Sequence, residues 1–92
     1  MRKIEFDMLD AIRKNKPFKR DNTQVKIDFN TAHVFLHDNH IASITYGLAR
    51  VNIDTLRQYP TPTTKSRLRA LGVDVYTKQG ITFVNGEAIW LT

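Results

Sequence analysis

The stretch Asn22-Thr-Gln-Val-Lys-Ile-Asp-Phe29, continued by Ala32-His-Val-Phe-Leu-His-Asp-Asn-His-Ile-Ala42 and Leu48-Ala-Arg-Val-Asn-Ile53, decides how this chain folds. Thr23, Val25, Ile27 and Phe29 alternate with Gln24, Lys26 and Asp28, the period of two that marks a half-buried strand. Asn30-Thr31 turns the chain, and Ala32, Val34 and Leu36 begin a second alternation. Asp38-Asn39 tolerates positive φ, so the spacing predicts a hairpin pairing Phe35-Leu36-His37 with His40-Ile41-Ala42. Gly47 marks another turn, and Ala49, Val51 and Ile53 make a fourth strand. Residues 22–53 therefore read as a four-strand antiparallel meander.

Upstream, residues 2–14 read as a helix, with Ile4, Met8, Leu9, Ala11 and Ile12 on one broad face. Glu5, Asp7 and Asp10 lie early and Arg13 and Lys14 late, which suits the helix dipole. Asn15 and Pro17 stop the helix and leave a basic connector up to residue 21. Downstream, Asp54 to Tyr59 fits either one helical turn capped by Asp54 or a loose connection. Residues 61–72 give a clear helix signal: Thr61 as N-cap, Pro62 at the first helical position and Gly72 beyond the end. Thr64, Leu68 and Leu71 share one face there, Lys65 and Arg69 another. Residues 73–91 return to strand, with turns at Gln79-Gly80 and Asn85-Gly86. The fold class is α+β: one domain over residues 1–92, in the order α-ββββ-α-βββ, with an antiparallel sheet of about six short strands carrying helices on one face.

Ninety-two residues place the chain near the low end of independent stability. It has no cysteine, so neither disulfides nor thiolate chemistry are available. Met1 to Leu9 carries acids and no long apolar run, so no signal peptide is expected, and no stretch approaches the roughly 20 apolar residues of a membrane span. The net charge of +5 fits a nucleic-acid binder but is shared by many small proteins, so the distribution of charge matters more than its total.

Three blocks carry a resemblance: Asn22-Thr-x-Val25, Val34-x-Leu-His-x-Asn-x-Ile-Ala42 and Pro60-Thr-x-Thr-Thr-x-Ser-Arg-Leu-x-Ala-Leu71. Together with the opening helix and its basic segment, they resemble a family of small accessory proteins encoded by tailed bacteriophages. The resemblance covers about residues 1–91. It implies a phage protein expressed in the cytoplasm of an infected bacterium, and it brings no activity, cofactor or catalytic residue with it.

The residues themselves offer little chemistry. His33 and His37 point the same way along a strand but lie roughly 13 Å apart, too far to share a metal. His37 and His40 flank the predicted turn, but with Asp38 they supply at most three ligands where a structural zinc needs four; hydrogen bonding around the turn is the favoured reading, and no metal is expected. Ser43 and Ser66 lie in no nucleophile motif, and a pairing of His33 or His37 with Asp28 or Asp38 is of a kind that arises by chance, so no enzyme is expected. Thr61, Thr63, Thr64 and Ser66 crowd a helix start beside cations, an arrangement that holds phosphate when the amides are free, but the favoured reading is that Thr61 caps, Thr64 packs and the cations form a solvated face. The aromatics Phe35, Tyr46, Tyr76, Phe83 and Trp90 offer a stacking platform on an open sheet face, but in so short a chain most are expected in the core, Trp90 first.

Two basic patches remain as candidate binding sites: Arg13, Lys14, Lys16, Lys19 and Arg20 with Phe18 interleaved, and Lys65, Arg67 and Arg69 on the second helix. The expectation is a non-catalytic binding protein. Its first-choice partner is a bacterial or phage protein or complex that it inhibits or redirects, with anti-defence or anti-CRISPR action as an analogy from the resemblance. Nucleic acid is the alternative partner, with binding that is salt-sensitive and lost in Arg67→Glu combined with Lys16→Glu. Exposed edge strands also allow a homodimer.

Overall fold

The computed structural model describes residues 1–89. The expected strand over Glu87 to Leu91 therefore falls partly, and the core role of Trp90 wholly, outside the described residues. Helix α1 (Lys3–Arg13) opens the chain. Five strands follow, β1 (Phe18–Arg20), β2 (Thr23–Asp28), β3 (Thr31–Leu36), β4 (Asn39–Thr45) and β5 (Leu48–Val51), paired antiparallel in sequence order. Helices α2 (Ile53–Gln58) and α3 (Pro62–Ala70) lead to a separate three-stranded antiparallel meander, β6 (Val75–Lys78), β7 (Ile81–Val84) and β8 (Glu87–Ile89). The class is α+β, and the strands divide into two sheets of five and three.

Alternation sets the inner face of the larger sheet. Phe18, Val25, Val34, Ala42 and Val51 lie in one cross-strand row. This side meets the helices in a largely aliphatic core that includes Met8, Val25, Val34, Leu36, Ile41, Leu56, Leu68, Val75 and Val84. Two-residue turns at His37-Asp38, Tyr46-Gly47, Gln79-Gly80 and Asn85-Gly86 all have positive φ at both positions, the backbone that matches strand twist.

Four local expectations are corrected. The β3–β4 turn is His37-Asp38, one residue earlier than predicted, so Leu36 pairs with Asn39. A bulge follows at once: Phe35 pairs with His40 but Val34 with Ala42, and Ile41 is the extra residue. Ile41 and Ala42 are consecutive and both buried, which strict alternation cannot provide. Third, Ile53 begins α2 rather than ending a strand, and Asn52, not Asp54, caps that helix by accepting a bond from the Thr55 amide at 3.3 Å. Fourth, among the described residues Phe35, Tyr46, Tyr76 and Phe83 are not core members: Tyr46 is exposed, Phe35 is half-buried, and Tyr76 stacks on Phe83 across β6 and β7 with ring centroids 5.0 Å apart.

One ion pair ties the two ends of the fold together. Glu5 of α1 and Arg67 of α3 are both buried, and Arg67 Nη1 donates to Glu5 Oε2 at 2.7 Å. Ser66 donates to the same carboxylate at 2.6 Å, the Arg2 amide to its other oxygen at 3.2 Å, and Arg67 Nε to Thr23 Oγ1 on β2 at 3.0 Å. Burial pushes the Glu5 carboxyl up, but the bonds from Ser66, Arg67 and Arg2 and the charge of Arg67 outweigh it and leave the group below its ordinary value. The unfolded chain therefore takes up this proton first. The contribution of Glu5 to stability is complete above about pH 4.3 and is lost as pH falls through the lower folded value. Urea midpoints measured from pH 6 to pH 3 should fall less steeply in Glu5→Gln than in the parent; parallel curves would remove Glu5 from the acid limb.

Candidate binding surface

Of the two predicted basic patches, Lys14, Arg20, Lys65 and Arg69 engage neighbouring groups at or near the surface, and only Arg67 is buried. Lys14 pairs with Asp10 at 3.0 Å, and Arg20 pairs with Asp7 while its guanidinium lies 5.3 Å from the Phe18 ring centroid. The hydrogen bond from Arg20 holds the Asp7 carboxyl below its ordinary value. Lys65 reaches Thr77 on β6, and Arg69 Nε donates to the Val75 carbonyl at 2.8 Å. Arg67 is 3% exposed and leaves the binding surface altogether. A charge reversal at Arg67 would therefore report on folding rather than on binding. Arg13, Lys16 and Lys19 stay exposed, and among the described residues none of them makes an ion pair.

The hydroxyls at the start of α3 also turn inward. Thr61 Oγ1 accepts from the Thr64 amide at 3.1 Å and bonds the Thr64 hydroxyl at 2.9 Å, while Ser66 is spent on Glu5. That helix start caps itself and ties α3 to α1.

What remains open is the outer face of the five-stranded sheet. Register lines up Lys19, Gln24, Phe35 and His40 in one row, and Lys26, His33, Ser43 and Arg50 in the next. Asp28, Thr31, Thr45 and Leu48 form a third row at the sheet's end. The first two rows hold three exposed cations, Lys19, Lys26 and Arg50, and no carboxylate. Lys26 Nζ sits 5.0 Å from the Phe35 ring centroid, and the His40 ring lies 5.3 Å from Phe35 on its other strand neighbour.

The bulge at Ile41 puts His40 and Ser43 on the same side. The Ser43 hydroxyl bonds His40 Nε2 at 2.8 Å and His33 Nδ1 at 2.9 Å; having one proton, it donates to one ring and accepts from the other. The two imidazoles stand 5.6 Å apart. Burial, and then the charge of His33, lower the His40 pKa against a bond to the Ala42 backbone that raises it. His37 instead lies 3.4 Å from the Asn22 amide, and among the described residues none of the three histidines bonds a carboxylate. No cluster of three metal-ligating side chains occurs among the described residues.

From sequence, Lys19 is singled out as part of a basic patch and Phe35 as one of the aromatics able to form a stacking platform on an open sheet face. Alternation alone places Gln24, Lys26, His33, Phe35 and Arg50 together, so that much of the signal was present. His40 and Ser43 join them only through the bulge.

The chain is a small α+β protein whose five-stranded sheet carries a cation-rich outer face. The chain belongs to the Kyanoviridae Gp96 protein family, whose family model matches residues 1–92. It is thus a phage accessory protein of the tailed cyanophages. No curated protein and no solved structure matches it. No helix among the described residues is long and apolar enough to cross a membrane.

Proposed function

We propose that this phage protein acts without catalysis, by binding single-stranded nucleic acid on the outer face of its five-stranded sheet, inside the infected cell. The observation that carries this reading is the pair of cross-strand rows holding Lys19, Lys26 and Arg50 around Phe35, with no carboxylate in either. Cations spaced across strands meet successive phosphates, and a half-buried ring gives a base a surface to stack on. Gln24, His33, His40 and Ser43 supply donors and acceptors between them.

The test is fluorescence anisotropy with labelled single-stranded and duplex DNA and RNA at low and physiological salt. Lys26→Glu with Arg50→Glu should abolish single-strand binding at physiological salt. Neutralising the same pair with glutamine should flatten the log–log salt dependence by about 1.4, from about 0.7 per lost phosphate contact. Phe35→Ala should weaken binding about tenfold, within the range of about 1–3 kcal/mol for one stacked base. Unchanged affinity in all three variants would remove this face as the site.

A protein partner is the second reading. It is favoured by β5, which is an edge strand among the described residues and where Leu48 is 74% exposed; such an edge can take an added strand. An inhibitor of a host complex fits that edge. A partner captured from nuclease-treated bacterial lysate by the parent, and not by Arg50→Pro, would favour it.

A further inference from the structure

We infer that the end of the larger sheet holds a second, separate site, a pocket for a single nucleobase with its phosphate on Arg13. The inference rests on the nucleic-acid reading for its ligand class, and on different residues for its geometry. The pocket lies where the C-terminal end of α1 meets the two turns at that end of the sheet. Its volume is about 320 Å³, and Ile12, Ala32 and Ile44 give it an apolar floor. Asn15, Asn30, Arg13 and Tyr46 stand around that floor. A volume near 300 Å³ suits a small planar ligand, and apolar walls with a few convergent polar groups are what such sites use.

The turn chemistry marks the place. Both turns begin with an aromatic residue at positive φ, Phe29 at 54° and Tyr46 at 51°. Asn, Asp and Gly take that conformation with far less strain than a bulky side chain. Neither ring repays the strain by entering the core, since Phe29 is 91% exposed and Tyr46 81%. Strained backbone that contributes nothing to packing is a pointer to function. Asn30 Nδ2 donates to the Tyr46 hydroxyl at 3.1 Å and so braces the ring at the pocket rim.

The pieces match a nucleotide one by one. The floor and the Tyr46 ring offer faces to a planar base. The Asn15 amide, and what remains of the Asn30 amide, offer the paired donor and acceptor that base edges require. Arg13, exposed and without an ion pair among the described residues, meets a phosphate. An aromatic side chain of a protein partner would use the floor and the ring but has no anion for Arg13.

The experiment is amide chemical-shift titration of the isotope-labelled full chain with adenosine, guanosine, cytidine and uridine 5′-monophosphates, each also as the free nucleoside. Saturable shifts at Asn15, Asn30, Tyr46 and Gly47 are expected, at least threefold weaker without the phosphate and weakened to the same extent by Arg13→Gln. Tyr46→Asn should abolish them while leaving the melting temperature unchanged or higher, because Asn relieves the positive φ. Absence of shifts at the sheet end up to 10 mM, about the weakest affinity such a titration detects, overturns the pocket. So do shifts that survive Tyr46→Asn, or equal shifts from a tyrosine-containing dipeptide, which would make it a peptide site. Oligonucleotide binding that persists with no monophosphate shift removes this inference alone. Oligonucleotide binding absent from every strand type removes the sheet-face reading and leaves the pocket to be judged on the monophosphates.

Discussion

Arg67→Met should destabilise the protein by about 3–5 kcal/mol, the usual consequence of leaving one member of a buried ion pair alone. The side chains of Arg67 and Glu5 are 4% and 2% exposed, so water cannot replace the lost donor. Ser66 and the Arg2 amide would still hold the carboxylate, but its charge would be uncompensated, and Thr23 would lose its bond from Arg67 Nε. A domain of this size has about 5–15 kcal/mol in total, so the variant should be largely unfolded in modest urea. Changing both partners, Glu5→Met with Arg67→Met, should recover most of the loss, because the desolvation of two charges disappears with them. Urea unfolding followed by circular dichroism on the two single variants and the double one decides this. Additive losses would mean that the two side chains do not depend on each other.

Leu68→Ala should cost about 2–5 kcal/mol, the range for emptying a buried leucine site. Leu68 has no exposed surface, and α3 offers few other anchors: Leu71 is half-buried, and Thr64 contributes mainly hydroxyl bonds. The loss should spread beyond the helix, because the Val73 amide bonds the Leu68 carbonyl at 3.1 Å where the chain leaves for the small sheet. Hydrogen exchange should therefore speed up in α3 and in β6 together. Leu71→Ala, at a half-exposed position, should cost clearly less. Equal losses at the two leucines would mean that α3 does not pack as described.

Much of the fold was legible because the polar and apolar residues of β2 and β3 alternate cleanly and the turns at Gly47, Gly80 and Gly86 declare themselves. The strand β1 was not, since Lys19 and Arg20 read as a linker. Three residues become a strand there only because β2 offers an edge. The bulge was hidden because Ile41-Ala42 breaks alternation without naming its repair. Arg67 was misplaced for a different reason: guanidinium usually means surface, and its partner lies 62 positions away. A clue did exist. Glu5 is flanked by Ile4 and Met8 on the apolar side of its helix, and Arg67 lies between Thr64 and Leu71 on the packed side of the other. Two opposite charges, each on the wrong face, are a reason to pair them.

The Glu5–Arg67 link also orders events during synthesis. The ribosome releases residues at about 5–20 per second, so several seconds separate the emergence of Glu5 from that of Arg67. The five-strand meander pairs only neighbours in sequence and can assemble in that interval. Its inner row of Val25, Val34 and Val51 then waits uncovered, with α1 carrying an unanswered carboxylate on the side it must bury. A nascent chain stopped before residue 60 would carry that sticky row permanently. Premature termination in this gene should thus yield insoluble fragments rather than a functional half, and only the emergence of α3 closes the fold.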